Sequence, residues 1–168
     1  MENAIPALLL GAILIVASSL MARGSIQSYD RLGQSIKATE TLVAERVQTR
    51  LAISDAVLDP ERDTLTLSLR NEGQTRIAVY ERVDVIVTYY TASGSALSAW
   101  LAYTPGSPAA NNWSITSIAD DAFEPGLLNT GETAQLQVEL GIPAGSGYTH
   151  RIVIASEAGA VTSAPFTS

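Results

Sequence analysis

The sequence has no cysteine, a single histidine (His150) and a single lysine (Lys37). The first absence excludes disulfides, thiolate metal sites and thiol nucleophiles. One imidazole does not build the usual zinc site, and any Ser-His-Asp triad would have to run through this one residue. His150 stands beside Arg151 at the start of a strand-like run and is expected to be exposed, with no acid–base partner in sequence. Ten Lys and Arg stand against 17 Asp and Glu, giving a net charge of −7. The clustered cations that nucleic acid or an anionic membrane surface require are therefore missing. No Gly-rich phosphate loop, nucleophile elbow or metal-binding helix motif occurs. No enzyme activity, cofactor or metal is expected. Asp120, Asp121 and Glu124 supply oxygen but lack the glycine and alternating ligands of a calcium loop. They read as a solvated turn, as do Asp55, Asp59, Glu61 and Asp63.

What the chain has is apolar residues, 46% of the total. Residues 4–22, AIPALLLGAILIVASSLMA, carry no charge, and a helix of about 20 such residues spans a bilayer. Three readings compete for this segment. A cleaved secretory signal begins with a basic region and has a shorter apolar run, whereas Glu2 is acidic. A plain anchor would use Arg23 to mark the cytoplasmic side and leave the remaining domain there. A pilin-like helix enters the membrane first and is then drawn into a fibre. On that reading Met1 is the first residue of a mature chain whose short basic leader has been removed. Pro6 sits in the first helical turn, where its missing N–H costs little, and Asn3 is a candidate N-cap. Gly11, Ala12, Ala17, Ser18 and Ser19 permit close helix approach.

Beyond Arg23 the pattern stays helical but becomes one-sided. Tyr29, Leu32, Ile36, Val43 and Val47 form a narrow apolar stripe, with Thr39 filling its gap. The expected helix runs over 3–50, roughly 70 Å at 1.5 Å per residue, with bend points at Gly24 and Gly33. The first half needs apolar surroundings on every side, and the second needs a surface to lie on. Packing inside a fibre or a membrane falls to Ile5, Leu8, Leu9, Leu10, Ile13, Leu14, Ile15, Val16 and Leu20.

From Leu51 the period becomes two. Strand-like runs are LAISDAVLD, TLTLSLRN, TRIAVYER, VDVIVTYY, ALSAWLAY, WSITSIA, TAQLQVEL, RIVIAS and AVTSAPFT. Turn residues separate them at 59–63, 71–74, 92–95, 143–147 and 157–159. The fold class is α+β: a long hydrophobic and amphipathic helix over 1–50, with 1–23 as core or membrane segment, then an Ig-like antiparallel β-sandwich over 51–168 without the core disulfide. Tyr89, Tyr90, Trp100 and Tyr103 read as core and face-filling aromatics. TPGSPAANN (104–112) reads as a surface loop, and Asn112-Trp113-Ser114 at its end is a candidate N-glycosylation acceptor at Asn112.

Two stretches carry a family likeness. LTLSLRNEGQTRI (65–77) resembles the strand–Asn-x-Gly–strand opening of the archaellin head domain. EPGLLNTGETAQLQVEL (124–140) is similar to a Pro-Gly-x-Leu-Asn-x-Gly-Glu motif of the same superfamily, with Gly126 and Gly131 supplying turn conformations. The whole chain resembles archaellins and archaeal type IV pilin-like proteins. The resemblance implies a structural subunit of a helical surface filament, turned by a membrane motor or used for adhesion. Its implied partners are other copies of itself, the membrane before assembly, and the assembly and motor platform. Bacterial type IV pilins have glutamate at the fifth mature position. Here that position is Ile5 and the early acid is Glu2, which in a fibre would meet a neighbouring N-terminal amine. An accessory or stator protein of the same machinery, or an anchored β-sandwich binding module, would have the same parts.

Overall fold

The computed structural model describes residues 4–59, 61 and 63–167. Met1, Glu2 and Asn3, named above, lie outside the described residues, as do Pro60 and Arg62 of the 59–63 turn. The chain divides into two units, Met1–Val43 and Ala44–Ser168.

One helix, α1, is assigned over Ala4–Gln48. Its serines and threonines bond back onto the helix. Ser18 donates to the Leu14 carbonyl at 2.7 Å, Ser19 to Val16 at 3.0 Å and Thr39 to Ser35 at 2.9 Å. Hydroxyls bonded this way need no partner outside the helix. Among the described residues, no helix is long and apolar enough to cross a membrane.

The second unit is a β-sheet folded into two packed layers. The strands are β1 (Leu51–Asp59), β2 (Thr64–Asn71), β3 (Asp84–Tyr90), β4 (Ala96–Tyr103), β5 (Asn112–Ala119), β6 (Thr133–Glu139), β7 (Thr149–Ala155) and β8 (Val161–Thr167). They form one hydrogen-bonded order, β1-β2-β6-β5-β4-β3-β7-β8, folded so that its two halves, β1-β2-β6-β5 and β4-β3-β7-β8, bury their inner faces against each other. Alternation decides the inner faces. Leu65, Leu67 and Leu69 of β2 and Leu136 and Val138 of β6 meet Val85, Val87 and Tyr89 of β3 and Ile152 and Ile154 of β7, all buried. Trp113, 1% exposed, closes one end of this core. Its ring lies 5.0 Å from Tyr103, which in turn lies 5.5 Å from Tyr80.

Three expectations change. The run TRIAVYER is not a strand. Ile77 makes one isolated bridge to Leu128, and Tyr80–Arg82 is a 3-10 turn, η1. The Tyr80 hydroxyl donates to the Gly126 carbonyl at 2.9 Å and its ring sits on Tyr103, which draws the chain out of the extended state. The sandwich is also not wholly antiparallel. At Ala102 and Tyr103, β4 runs parallel to Asn112 and Trp113 of β5, because the 104–111 loop carries the chain across to the other sheet. Finally, His150 is buried, at 2% exposure, since it shares the inward phase of Ile152 and Ile154 on β7.

The outer strands β1 and β8 lie side by side without a ladder between them. β1 is bulged between Ser54 and Val57, with Asp55 at φ 54°, and β8 contains Pro165. Bulges and prolines break up the row of donors that an edge strand would otherwise offer.

His150 accepts the Tyr90 backbone N–H on Nδ1 at 3.2 Å and packs on Phe166. Burial pushes its pKa below the usual 6.5. A histidine held neutral by the fold binds fewer protons folded than unfolded. Its stability contribution is therefore complete above pH 6.5 and declines as pH falls through that value towards the lower folded pKa. Thermal melts of residues 44–168 between pH 7.5 and 5 should show this decline, and His150→Gln should flatten it. An unchanged slope in the variant would assign the decline to other groups.

Candidate functional site

The described residues hold no cluster of three or more His, Asp or Glu side chains placed to hold a metal. What they do bring together are the two motif stretches, 65–77 and 124–140. Asn71, fully buried, joins them. Its Oδ1 accepts the Gly73 N–H at 3.0 Å, and its Nδ2 donates to the carbonyls of Thr75 (2.9 Å) and Leu128 (3.1 Å). Its backbone N–H donates to Glu132 and its carbonyl accepts from Gly131. On the other side of the loop, Glu72 N–H donates to Arg50 at 2.8 Å and Gln74 N–H to Gln48 at 2.7 Å. Residues 48–50 are thus clamped just before β1 begins. A Cβ on Gly73 would lie 2.3 Å from the Gln48 carbonyl oxygen and 2.4 Å from the Arg50 nitrogen, so this position admits only glycine.

The second motif is folded by its own polar groups. Asp121 accepts the Gly126 N–H on both carboxylate oxygens, at 3.2 and 3.0 Å. The largely buried Glu132 accepts the Asn129 N–H at 2.7 Å, and Asn129 Nδ2 donates to the Phe123 carbonyl at 2.6 Å. Gly126 and Gly131 sit at φ 90° and 84°, as the turns require. Arg76 pairs with Glu124 across the two motifs. A shallow groove of about 560 Å³ lies here, lined by Gln74, Arg76, Phe123, Glu124, Asn129 and Glu132. Burial, with Tyr103 and Asp121 nearby, pushes Tyr80 up to about 12, so its hydroxyl stays a donor at any ordinary pH. The carboxylates of Asp121, Glu124 and Glu132 hold turns and an ion pair.

The other sequence-picked residues fall on α1. Leu9, Ile13, Leu14, Ile15 and Val16 are 57–71% exposed. The side chains of Ile5, Leu8, Leu10 and Leu20 lie outside the described ones. Leu32, Ile36, Val43 and Val47, the stripe of the second half, are exposed as well. Asn112 opens strand β5 rather than sitting in a loop, and Trp113 and Ser114 behind it are buried. Missed from sequence was the Asn71 junction; Trp100, grouped there with the core and face-filling aromatics, is 58% exposed on the outer face of β4. The signal for Trp100 was available: Leu101 and Leu97 carry the inward phase of that strand, which turns Trp100 outward.

A family model described as archaeal-type flagellin matches residues 7–166. No curated protein matches. Among solved structures, the archaellum periplasmic stator protein FlaG from Sulfolobus acidocaldarius aligns at TM-score 0.51 and 22% identity, covering 70% of this chain and 99% of that one. The same organism's FlaF and FlaG stator complex aligns at 0.51 and 22%, covering 70% and 89%. The archaeal flagellum of Methanospirillum hungatei strain JF1 aligns at 0.47 and 17%, covering 99% and 93%.

The Asn71 junction makes a stability prediction. Asn71→Ala removes the donor to two carbonyls and should cost about 1–3 kcal/mol. Gly73→Ala forces the clamp apart and should cost at least as much, about 1–3 kcal/mol or more. Urea unfolding of residues 44–168 measures both. Losses within about 0.5 kcal/mol, the range of ordinary surface changes, would show that the junction is not holding the fold.

Proposed function

The chain belongs to the archaeal-type flagellin family, and from that membership we propose that it is a structural subunit of a helical surface filament used for motility. One observation carries the reading. Ile13, Leu14, Ile15 and Val16 are consecutive and all exposed on α1. At about 100° per residue, four neighbours cover roughly 300° of the helix surface. No single protein surface covers a helix on that many sides; lipid or a bundle of like helices does. Burying each large side chain is worth about 1.5–3 kcal/mol, which favours a polymer over a free monomer. The back-bonded hydroxyls of Ser18 and Ser19 suit the same apolar surroundings. In this reading the segment, with Ile5, Leu8, Leu9, Leu10 and Leu20, is held in the membrane before assembly and forms the filament core afterwards. The sandwich faces outward at the cell surface, and the assembly and motor platform are the other partners. A glycan on Asn112 would have to be attached before β5 pairs, because Ser114 of the acceptor motif is buried in the folded head.

A second reading rests on the head, whose fold is also that of the FlaG stator structure. An accessory protein of the same machinery would keep α1 in lipid and would not polymerise. Microscopy of sheared cell-surface material, with N-terminal sequencing of its main protein, separates the two. Leu14→Arg should abolish fibres while the sandwich keeps its circular dichroism and melting. Normal fibres from that variant would overturn the helical-core reading, and a membrane-bound protein of low abundance without fibres would favour the accessory one.

A further inference from the structure

The two outer faces of the sandwich differ. That of β1-β2-β6-β5 is mostly hydroxyl and amide, with Thr66, Thr116, Gln135 and Gln137 along it and Val57 its one exposed large apolar residue. That of β4-β3-β7-β8 is apolar at its centre. Register places Trp100 beside Ile86, Ile86 beside Val153, and Ala155 beside Val161. Trp100, Ile86 and Val161 are 58%, 37% and 63% exposed. The indole is fixed in place, its Nε1 donating to Asp84 Oδ1 at 2.9 Å. An antiparallel sheet with a solvated outer face alternates cleanly, polar residues outward. This face does not, and tryptophan is one of the residues enriched at the hot spots of interfaces.

We propose that this face is where the heads of neighbouring copies of the chain meet, an inference that rests on the filament-subunit reading. Charge argues for a second copy. The outward residues of β3, β4, β7 and β8 carry one carboxylate, Asp84, and one guanidinium, Arg151, so the face is neutral on a chain of net charge −7. A second acidic copy, whichever surface it brings, is repelled least by this neutral face. Size argues the same way. Five side chains make a patch of a few hundred Å², less than the roughly 800 Å² per partner of a standard free interface. Such a patch is effective only when its partner is already held close, as packed helices would hold it. A helical polymer repeats a head-to-tail contact, so the patch meets a different surface of the next copy.

The test uses the full chain in fibres. A photo-crosslinking phenylalanine analogue at the exposed position Ser98, next to Trp100 on the same face, should give adducts of twice the chain mass. Digestion should find the partner peptide in a second copy's head. A second measurement needs no substitution: Trp113 is buried, so acrylamide quenching of the fibres reports Trp100. Quenching should be strong in detergent-dispersed chain and fall several-fold on assembly. Intact fibres with Trp100 still quenched, or adducts within one chain or to another protein, overturn the head-contact proposal alone. Absence of any fibres overturns the subunit reading and this proposal with it.

Discussion

One buried amide organises the head. Asn71 ends β2, but its side chain and backbone hold three other segments at once: its own loop, the Leu128 turn and the Gly131-Glu132 approach to β6. A buried amide earns its place only if its polar atoms are paired, and here both ends of the group are. The loop it shapes then presents two N–H groups to residues 48–50. The point at which β1 begins is therefore fixed by a side chain twenty residues further along. Both motif stretches are organised around this residue. Their glycines are explained by φ and by close backbone approach, with no ligand required.

The strands were legible because one face of each is buried, so period two survives in the sequence. Eight of the nine runs form strands. TRIAVYER failed because its apolar residues are set by contacts distant in sequence: Ile77 reaches Leu128, and Tyr80 reaches Gly126 and Tyr103. Local pattern does not report such contacts. His150 was misread from its charged neighbour, although the phase of Ile152 and Ile154 already pointed it inward. The parallel step between β4 and β5 depends on the path of a Pro- and Gly-containing loop, which carries no periodicity to read.

The candidate site divides in the same way. The apolar surface of α1 follows from composition, since an uncharged run leaves no other face to show. The meeting of the two motifs does not follow from either motif by itself: Asn71 and Leu128 are 57 positions apart. The outer face with Trp100 lies between these cases. Its alternation was present in β3 and β4, but its meaning needed the register that sets Trp100 beside Ile86 and Val153.

The open seam between β1 and β8 bears on how the head takes load. A pull travelling along the chain from α1 reaches residues 48–50 before it reaches β1. The two hydrogen bonds of the clamp resist first. Behind them β1 is laced on one side only, to β2, with a bulge partway along. The catch of residues 48–50 and a first strand laddered on one side only are therefore what such a pull would meet, in that order.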